Sequence, residues 1–189
     1  MKRIFAAVKI EPDAKFLKSF RDLRARLNLE SIKWVEEYNI HVTLKFFGET
    51  DEMLIPRISE TLEKISQGSP VLNFRLSGIG IFGSQYQPRV VWAGIDPPEP
   101  LARLMKETQL ECEKLGYIPD RLNLIPHLTL GRIKYLKDKF LFQKVIKEYK
   151  GINSEPVLIN EFILYESKLR KEGPEYFILD KFVFGESPV

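Results

Sequence analysis

His41-Val42-Thr43-Leu44 and His127-Leu128-Thr129-Leu130 contain the only two histidines of this 189-residue chain. Both words read histidine, apolar residue, threonine, leucine. The chain has five threonines, so chance would set one two places after each histidine only about once in a thousand, a pattern count of the kind that marks a real signal. In a strand, residues i and i+2 point to the same face. His41 and Thr43 therefore project together, as do His127 and Thr129, while Val42, Leu44, Leu128 and Leu130 face the core. Two such words predict one active site built twice, with a proton-transfer group from each half.

Working outward from each word gives the same order of elements. Ile4 to Ile10 reads as a strand, and Pro12-Asp13 opens a helix carrying Phe16, Phe20, Leu23 and Leu27 at helical spacing. Tyr38 to Phe47 is the first motif strand, ended by Gly48. Asp51 caps a second helix with Leu54, Ile55, Ile58, Leu62 and Ile65 on one face and Pro56 in its first turns. Val71 to Phe82 and Arg89 to Ile95 form a hairpin. A third helix follows Pro97-Pro98, carries Leu101, Leu104, Met105, Thr108, Cys112 and Leu115, and stops at Gly116. Leu124 to Ile133 is the second motif strand. Asp138 caps a fourth helix with Leu141, Val145 and Tyr149 on its stripe. Strands Val157 to Leu169 and Tyr176 to Phe184 flank the turn Lys171-Glu172-Gly173-Pro174. The motif holds the same place in both halves, an internal repeat of architecture. The expected fold is α+β: duplicated β-α-β units in two lobes related by a pseudo-two-fold axis, with antiparallel sheets lining a central cleft and helices outside. Residues 1–189 are expected to form a single domain of two intertwined lobes.

Imidazole titrates near pH 6.5. With two in one cleft, a neutral ring can act as base while a protonated one acts as acid. Hydroxyl donors and an imidazolium suit an oxyanion such as phosphate. A zinc site is a rival, since two histidines and a carboxylate suffice, but neither word has an Asp, Glu or Cys at ligand spacing. Gly78-Ile79-Gly80-Ile81-Phe82-Gly83 follows a strand without opening a helix, so it is no dinucleotide loop. No Gly-x-Ser-x-Gly elbow is present.

Hydrophobic residues make up 44% of the chain and charged residues 29%, which indicates a globular core and excludes a disordered chain. The net charge of +3 is too small to signal nucleic-acid binding by itself. Two local clusters, Lys134 to Lys150 and Lys168 to Lys171, read as a solvated helix and turn or as a basic face. The one cysteine, Cys112, excludes an internal disulfide and reads as a buried, inert thiol. No apolar run nears the ~18 residues of a membrane helix. The N-terminus lacks a signal peptide's apolar segment, so a cytoplasmic protein is expected. The Lys/Glu-rich composition is compatible with a thermophile.

These residues resemble the 2H phosphoesterase family, in the branch called RNA 2′,3′-cyclic phosphodiesterases or 2′-5′ RNA ligases. The similarity is carried by Arg3-Ile4-Phe5-Ala6-Ala7-Val8, Trp34-Val35, Asn39 to Glu49, Gly78 to Phe82, Pro88 to Gly94 and Pro126 to Arg132. It implies hydrolysis of a terminal RNA 2′,3′-cyclic phosphate to a 2′-phosphate, with no cofactor or metal and with RNA as partner. His41 would be the proton donor and His127 the proton acceptor, an assignment the near-equivalent words do not themselves make. Thr43 and Thr129 would bind the nonbridging oxygens, and Lys45, in phase with His41, reads either as an RNA contact or as a solvated rim lysine. Attack by a 5′-hydroxyl RNA end in place of water would give a 2′-5′ linkage. Arg132 matches a family arginine near the phosphate, yet strict alternation puts it opposite His127; a bulge at Gly131 would re-aim it. A monomer is expected. Two other functions fit the same residues: a nucleotide- or RNA-end-binding module with little turnover, and a phosphodiesterase for a small cyclic phosphate.

Overall fold

A computed structural model of the chain describes residues 1–119, 125–171 and 173–185. Three aspartates start its helical turns. Asp13 accepts from the backbone N–H groups of Lys15 and Phe16 and opens α1 (Ala14–Arg26). Asp138 accepts from Leu141 N–H and opens α4 (Lys139–Glu148). Each satisfies donors a helix start leaves unpaired. Asp51 instead caps a 3₁₀ turn, Glu52–Leu54, and α2 (Ile55–Gln67) begins just after it with Pro56 in its first turn. Leu54 is consequently exposed rather than on the buried stripe. Helix α3 spans Glu99–Glu113.

The strands are β1 (Lys2–Lys9), β2 (Ser31–Trp34), β3 (His41–Thr50), β4 (Leu72–Gly83), β5 (Pro88–Asp96), β6 (His127–Tyr135), β7 (Val157–Ile159), β8 (Glu161–Leu169) and β9 (Pro174–Val183). They form two antiparallel sheets, one in the order β3-β1-β8-β9 and the other β2-β6-β5-β4-β7. The first sheet joins the beginning of the chain to its last strands, with Ile4 opposite Glu166. The second takes β2 from the first half and sets it beside β6. The halves therefore exchange strands, and motif strands β3 and β6 touch between the sheets. The first sheet curls strongly: Asn39 Nδ2, next to edge strand β3, donates to Pro174 O on the opposite edge strand at 3.1 Å.

One apolar cluster runs through both sheets and all four helices, with Phe16, Phe20, Phe74, Phe142, Phe162 and Phe182 at its centre. Each such side chain contributes about 1.5–3 kcal/mol of burial energy. A second, small cluster of Phe5, Ala7, Ile163 and Tyr165 lies on the concave face of the first sheet.

Several sequence expectations need correction. The strand expected from Tyr38 starts at His41, because Glu37–Asn39 forms a 3₁₀ turn, and it continues past Gly48 to Thr50. The short strand β2 was not expected. The single strand expected over Val157 to Leu169 is two: β7 pairs with β4 and β8 with β1, so the chain changes sheets at Asn160. In α4, capping at Asp138 sets a phase that buries Phe142 and leaves Leu141 and Phe140 outside. Leu124 and Glu172, expected in the second motif strand and the last turn, lie outside the described residues. Among the described residues, no helix is long and apolar enough to cross a membrane.

Candidate active site

His41 and Thr43 begin β3, and His127 and Thr129 begin β6; all four are half-buried. Val42, Leu44, Leu128 and Leu130 are buried, as alternation requires. The rings are held alike. His41 Nδ1 lies 2.6 Å from Asn39 O, and His127 Nδ1 lies 2.8 Å from Ile125 O. A carbonyl can only accept, so each Nδ1 carries the proton and each Nε2 is the nitrogen left for chemistry. Neither the threonine hydroxyls nor the Nε2 atoms are engaged by the described residues.

The two strands also break alternation at the same point. Along β3, Thr43 pairs with Ala7 and Lys45 with Ala6, which leaves Leu44 without an opposite residue. Along β6, Thr129 pairs with Trp92 and Gly131 with Val91, which leaves Leu130 unopposed. Each is a bulge that puts two consecutive residues on the core side and reverses the phase beyond it. The consequences differ because the residues differ. After Leu130, Gly131 is buried and Arg132 emerges on the histidine face, exposed. Burial lowers the pKa of His41 and His127 and raises that of Tyr176; the Arg132 charge is a smaller influence on all three groups and acts in the lowering direction. The phase change expected at Gly131 thus starts one residue earlier, at Leu130.

After Leu44, Lys45 is turned inward and is only 3% exposed, which overturns both the RNA-contact and the rim-lysine readings. Lys45 Nζ donates to Gln109 Oε1 at 2.9 Å and to Ile118 O at 2.5 Å, while Gln109 Nε2 donates to Leu44 O at 2.9 Å. One side chain of α3 thereby fastens the bulge of β3, and Lys45 ties it to the backbone at Ile118. Gly131 takes the equivalent place in β6. A Cβ there would lie 2.8 Å from the Trp34 ring and 2.9 Å from Ile32, so the close cover of β2 requires glycine.

Aromatic rings enclose both imidazoles. His41 lies 5.2 Å from Phe5 and 5.4 Å, edge-on, from Tyr176. His127 stands edge-on to Phe82 at 4.7 Å, and Phe82 stacks on Trp92 at 5.3 Å. Burial against these rings is the main force lowering both histidine pKa values; the bonds to Asn39 O and Ile125 O oppose it, and Arg132 adds to it. Both rings are thus biased toward the neutral form in the free protein. Arg3, from β1, lies over the Phe46 ring at 4.7 Å and gives the first lobe a cation of its own. A cavity of about 530 Å³ opens beside His41, lined by Lys9, Tyr38, Asn39, Tyr165 and Tyr176 among others. Sequence reasoning missed Arg3, Tyr176, Phe82 and Trp92 as site residues; for Arg3, the signal was its alternation with Phe5 and Ala7. Among the described residues, no group of three His, Cys, Asp or Glu side chains is placed to hold a metal ion.

The family described as LigT like phosphoesterase matches residues 9–92 and 95–176. The chain belongs to this family. His41 falls at the same distance from the start of the first matched segment as His127 does from the start of the second, so the LigT-like match divides where the repeated word does. An RNA 2′,3′-cyclic phosphodiesterase of Thermotoga maritima is 36% identical over 146 residues, 77% of this chain and 76% of that protein. One from Methanocaldococcus jannaschii is 30% identical over 177 residues, 94% and 98% of the two chains. Among solved structures, TT0787 of Thermus thermophilus superposes with a TM-score of 0.78 at 23% identity, covering 98% of this chain and all of that one. E. coli LigT complexed with 3′-AMP superposes at 0.74 with 22% identity, covering 97% and 98%. These likenesses show the fold of the LigT-like phosphoesterases.

Proposed function

We propose that this LigT-like phosphoesterase hydrolyses the terminal 2′,3′-cyclic phosphate of RNA to a 2′-phosphate by two-histidine acid-base catalysis. The observation that carries it is the matched clamping of both Nδ1 atoms by backbone carbonyls, which leaves two Nε2 atoms free beside two unengaged threonine hydroxyls. The relatives' names, RNA 2′,3′-cyclic phosphodiesterase, supply the substrate.

Thr43, Thr129 and Arg132 hold the nonbridging phosphate oxygens, by hydroxyl and guanidinium N–H donors. His127 Nε2 takes a proton from water as the water oxygen bonds to phosphorus. The bond from phosphorus to O3′ breaks, and protonated His41 gives its Nε2 proton to O3′. The product carries a 2′-phosphate and a 3′-hydroxyl, with His127 protonated and His41 neutral. A proton passed from His127 back to His41 through solvent resets the pair. The acid must be charged although burial disfavours it, and the substrate's own negative charge favours that form. The protein works in this reading as a single-domain cytoplasmic monomer without metal. With an RNA 5′-hydroxyl in place of water, the same steps give a 2′-5′ linkage.

The test is incubation of a 2′,3′-cyclic-ended RNA in EDTA, with identification of the product. The 2′-phosphate is expected, and His41→Ala and His127→Ala each lower turnover by about 10²–10⁴. A 3′-phosphate product, loss of activity in EDTA, or near-normal turnover by either variant overturns the mechanism.

A further inference from the structure

Lys33 of β2 and Arg132 of β6 are directly opposite each other in the second sheet, so their side chains leave the same face. Both are exposed, and so is Lys134, two residues beyond Arg132 on that face, while Ile133 between them is half-buried. Like charges directly opposed on antiparallel strands cost stability. No acid relieves this one: none of the three makes an ion pair or side-chain hydrogen bond with the described residues. Some surface cations elsewhere are paired, as Arg21 with Glu37 and Arg26 with Glu148, while others, Lys147 among them, have no ion pair with the described residues. What sets this row apart is its geometry, two cations directly opposed across neighbouring strands at the histidine face. The row also has direction. It starts at the histidine face, because the Leu130 bulge brings Arg132 into line with Thr129, and Lys134 continues it about 7 Å farther along the strand.

We propose that Lys33, Arg132 and Lys134 bind successive backbone phosphates of the RNA strand whose cyclic end lies at the two histidines. The inference rests on the proposed function and deepens it: the substrate is an oligonucleotide end, in preference to a mononucleotide or another small cyclic phosphate. Arg132 serves both parts, as the last contact of the reacting phosphate and the first of the row. A polyanion completes the row by supplying the counter-charge that the protein withholds.

The experiment compares kcat/KM on adenosine 2′,3′-cyclic phosphate and on a single-stranded oligoribonucleotide with the same cyclic end, across a range of salt. In Lys33→Gln/Lys134→Gln, the preference for the oligonucleotide falls about tenfold and its logarithmic salt slope flattens by about 0.7 per charge removed. Lys33→Arg/Lys134→Arg restores both. Lys147→Gln, a removal of charge on the exposed face of α4, leaves both unaltered. Equal flattening per charge by Lys147→Gln shows a general field and overturns the row, as does an unchanged preference and slope in the double variant. If the parent protein hydrolyses neither substrate, the proposed function itself fails, and the mononucleotide arm reveals it. The double variant removes an unfavourable pair, so its Tm does not fall; a fall of several degrees overturns the account of the row as unpaired charge.

Discussion

Replacing Lys45 by methionine keeps the buried stem of the side chain and deletes its charged end. The native ammonium donates to Gln109 Oε1 and Ile118 O in the interior. A hydrogen bond from a charged donor contributes about 1.5–3 kcal/mol, and an acceptor left buried without a partner costs about 1–3 kcal/mol. Against this stands relief from burying an ammonium, which offsets part of the loss. A net loss of about 3 kcal/mol results. For a chain of this size, each kcal/mol lowers Tm by about 2–4 °C, so Lys45→Met melts about 6–12 °C below the parent in a circular-dichroism scan. Gln109→Leu breaks the same unit from the other side, and the double variant loses much less than the two single losses added together, because the groups share one network. A Tm within about 2 °C of the parent, or strict additivity in the double variant, refutes the claim that this buried lysine fastens the bulge of β3.

Because both histidine pKa values are lowered from 6.5, both limbs of the kcat/KM profile belong on the acid side, and the optimum is expected below about pH 6.5; Arg132→Met should move it upward, and an optimum at neutral pH or above contradicts this. The sign for stability follows from the same shifts: the folded chain resists protonation, so stability is full above about pH 6.5 and declines as pH falls below it, measurable as a falling denaturation midpoint. Cys112 is buried and its thiol is pushed up to about 11, so iodoacetamide at about pH 8 should leave the native protein unmodified and label it on unfolding. Gly131→Ala forces its new methyl against Trp34 and Ile32 and should cost about 1–3 kcal/mol, read by chemical denaturation.

The duplicated motif strands, the helix starts at Asp13 and Asp138 and the inward leucines were legible in the sequence, because each depends on residues a few places apart. The bulges were only half legible. Gly131 drew attention as a place where alternation breaks, but the unopposed residue is Leu130, and an apolar residue at a bulge looks the same as one in register. The matching break at Leu44 was missed, so Lys45 was put on the wrong face. Its Lys-after-Leu pattern does not distinguish an exposed lysine from one received by Gln109, a partner 64 residues away. Strand partners were beyond reach for the same reason. Nothing near Asn160 announces that Val157–Ile159 joins one sheet and Glu161–Leu169 the other, since that choice is made by distant edges. The rings around the histidines belong to strands that were correctly expected; their convergence required the curl of the first sheet and the exchange of strands.

That exchange has a consequence for how the protein is made. On the ribosome, β1 emerges long before β8 and β9, yet β1 lies between β3 and β8. The second sheet obtains β4 to β7 in sequence and needs only β2 from earlier, so it can assemble while synthesis continues. The sheet beneath His41 must wait, with Phe5 and Ala7 uncovered until Ile163 and Tyr165 arrive. Contacts so far apart in sequence slow folding and leave an unpaired edge exposed in the interval. A nascent chain stopped before residue 161 should therefore carry both histidines and still lack the wall that holds the first of them, which makes catalytic competence wait on the synthesis of β8 and β9.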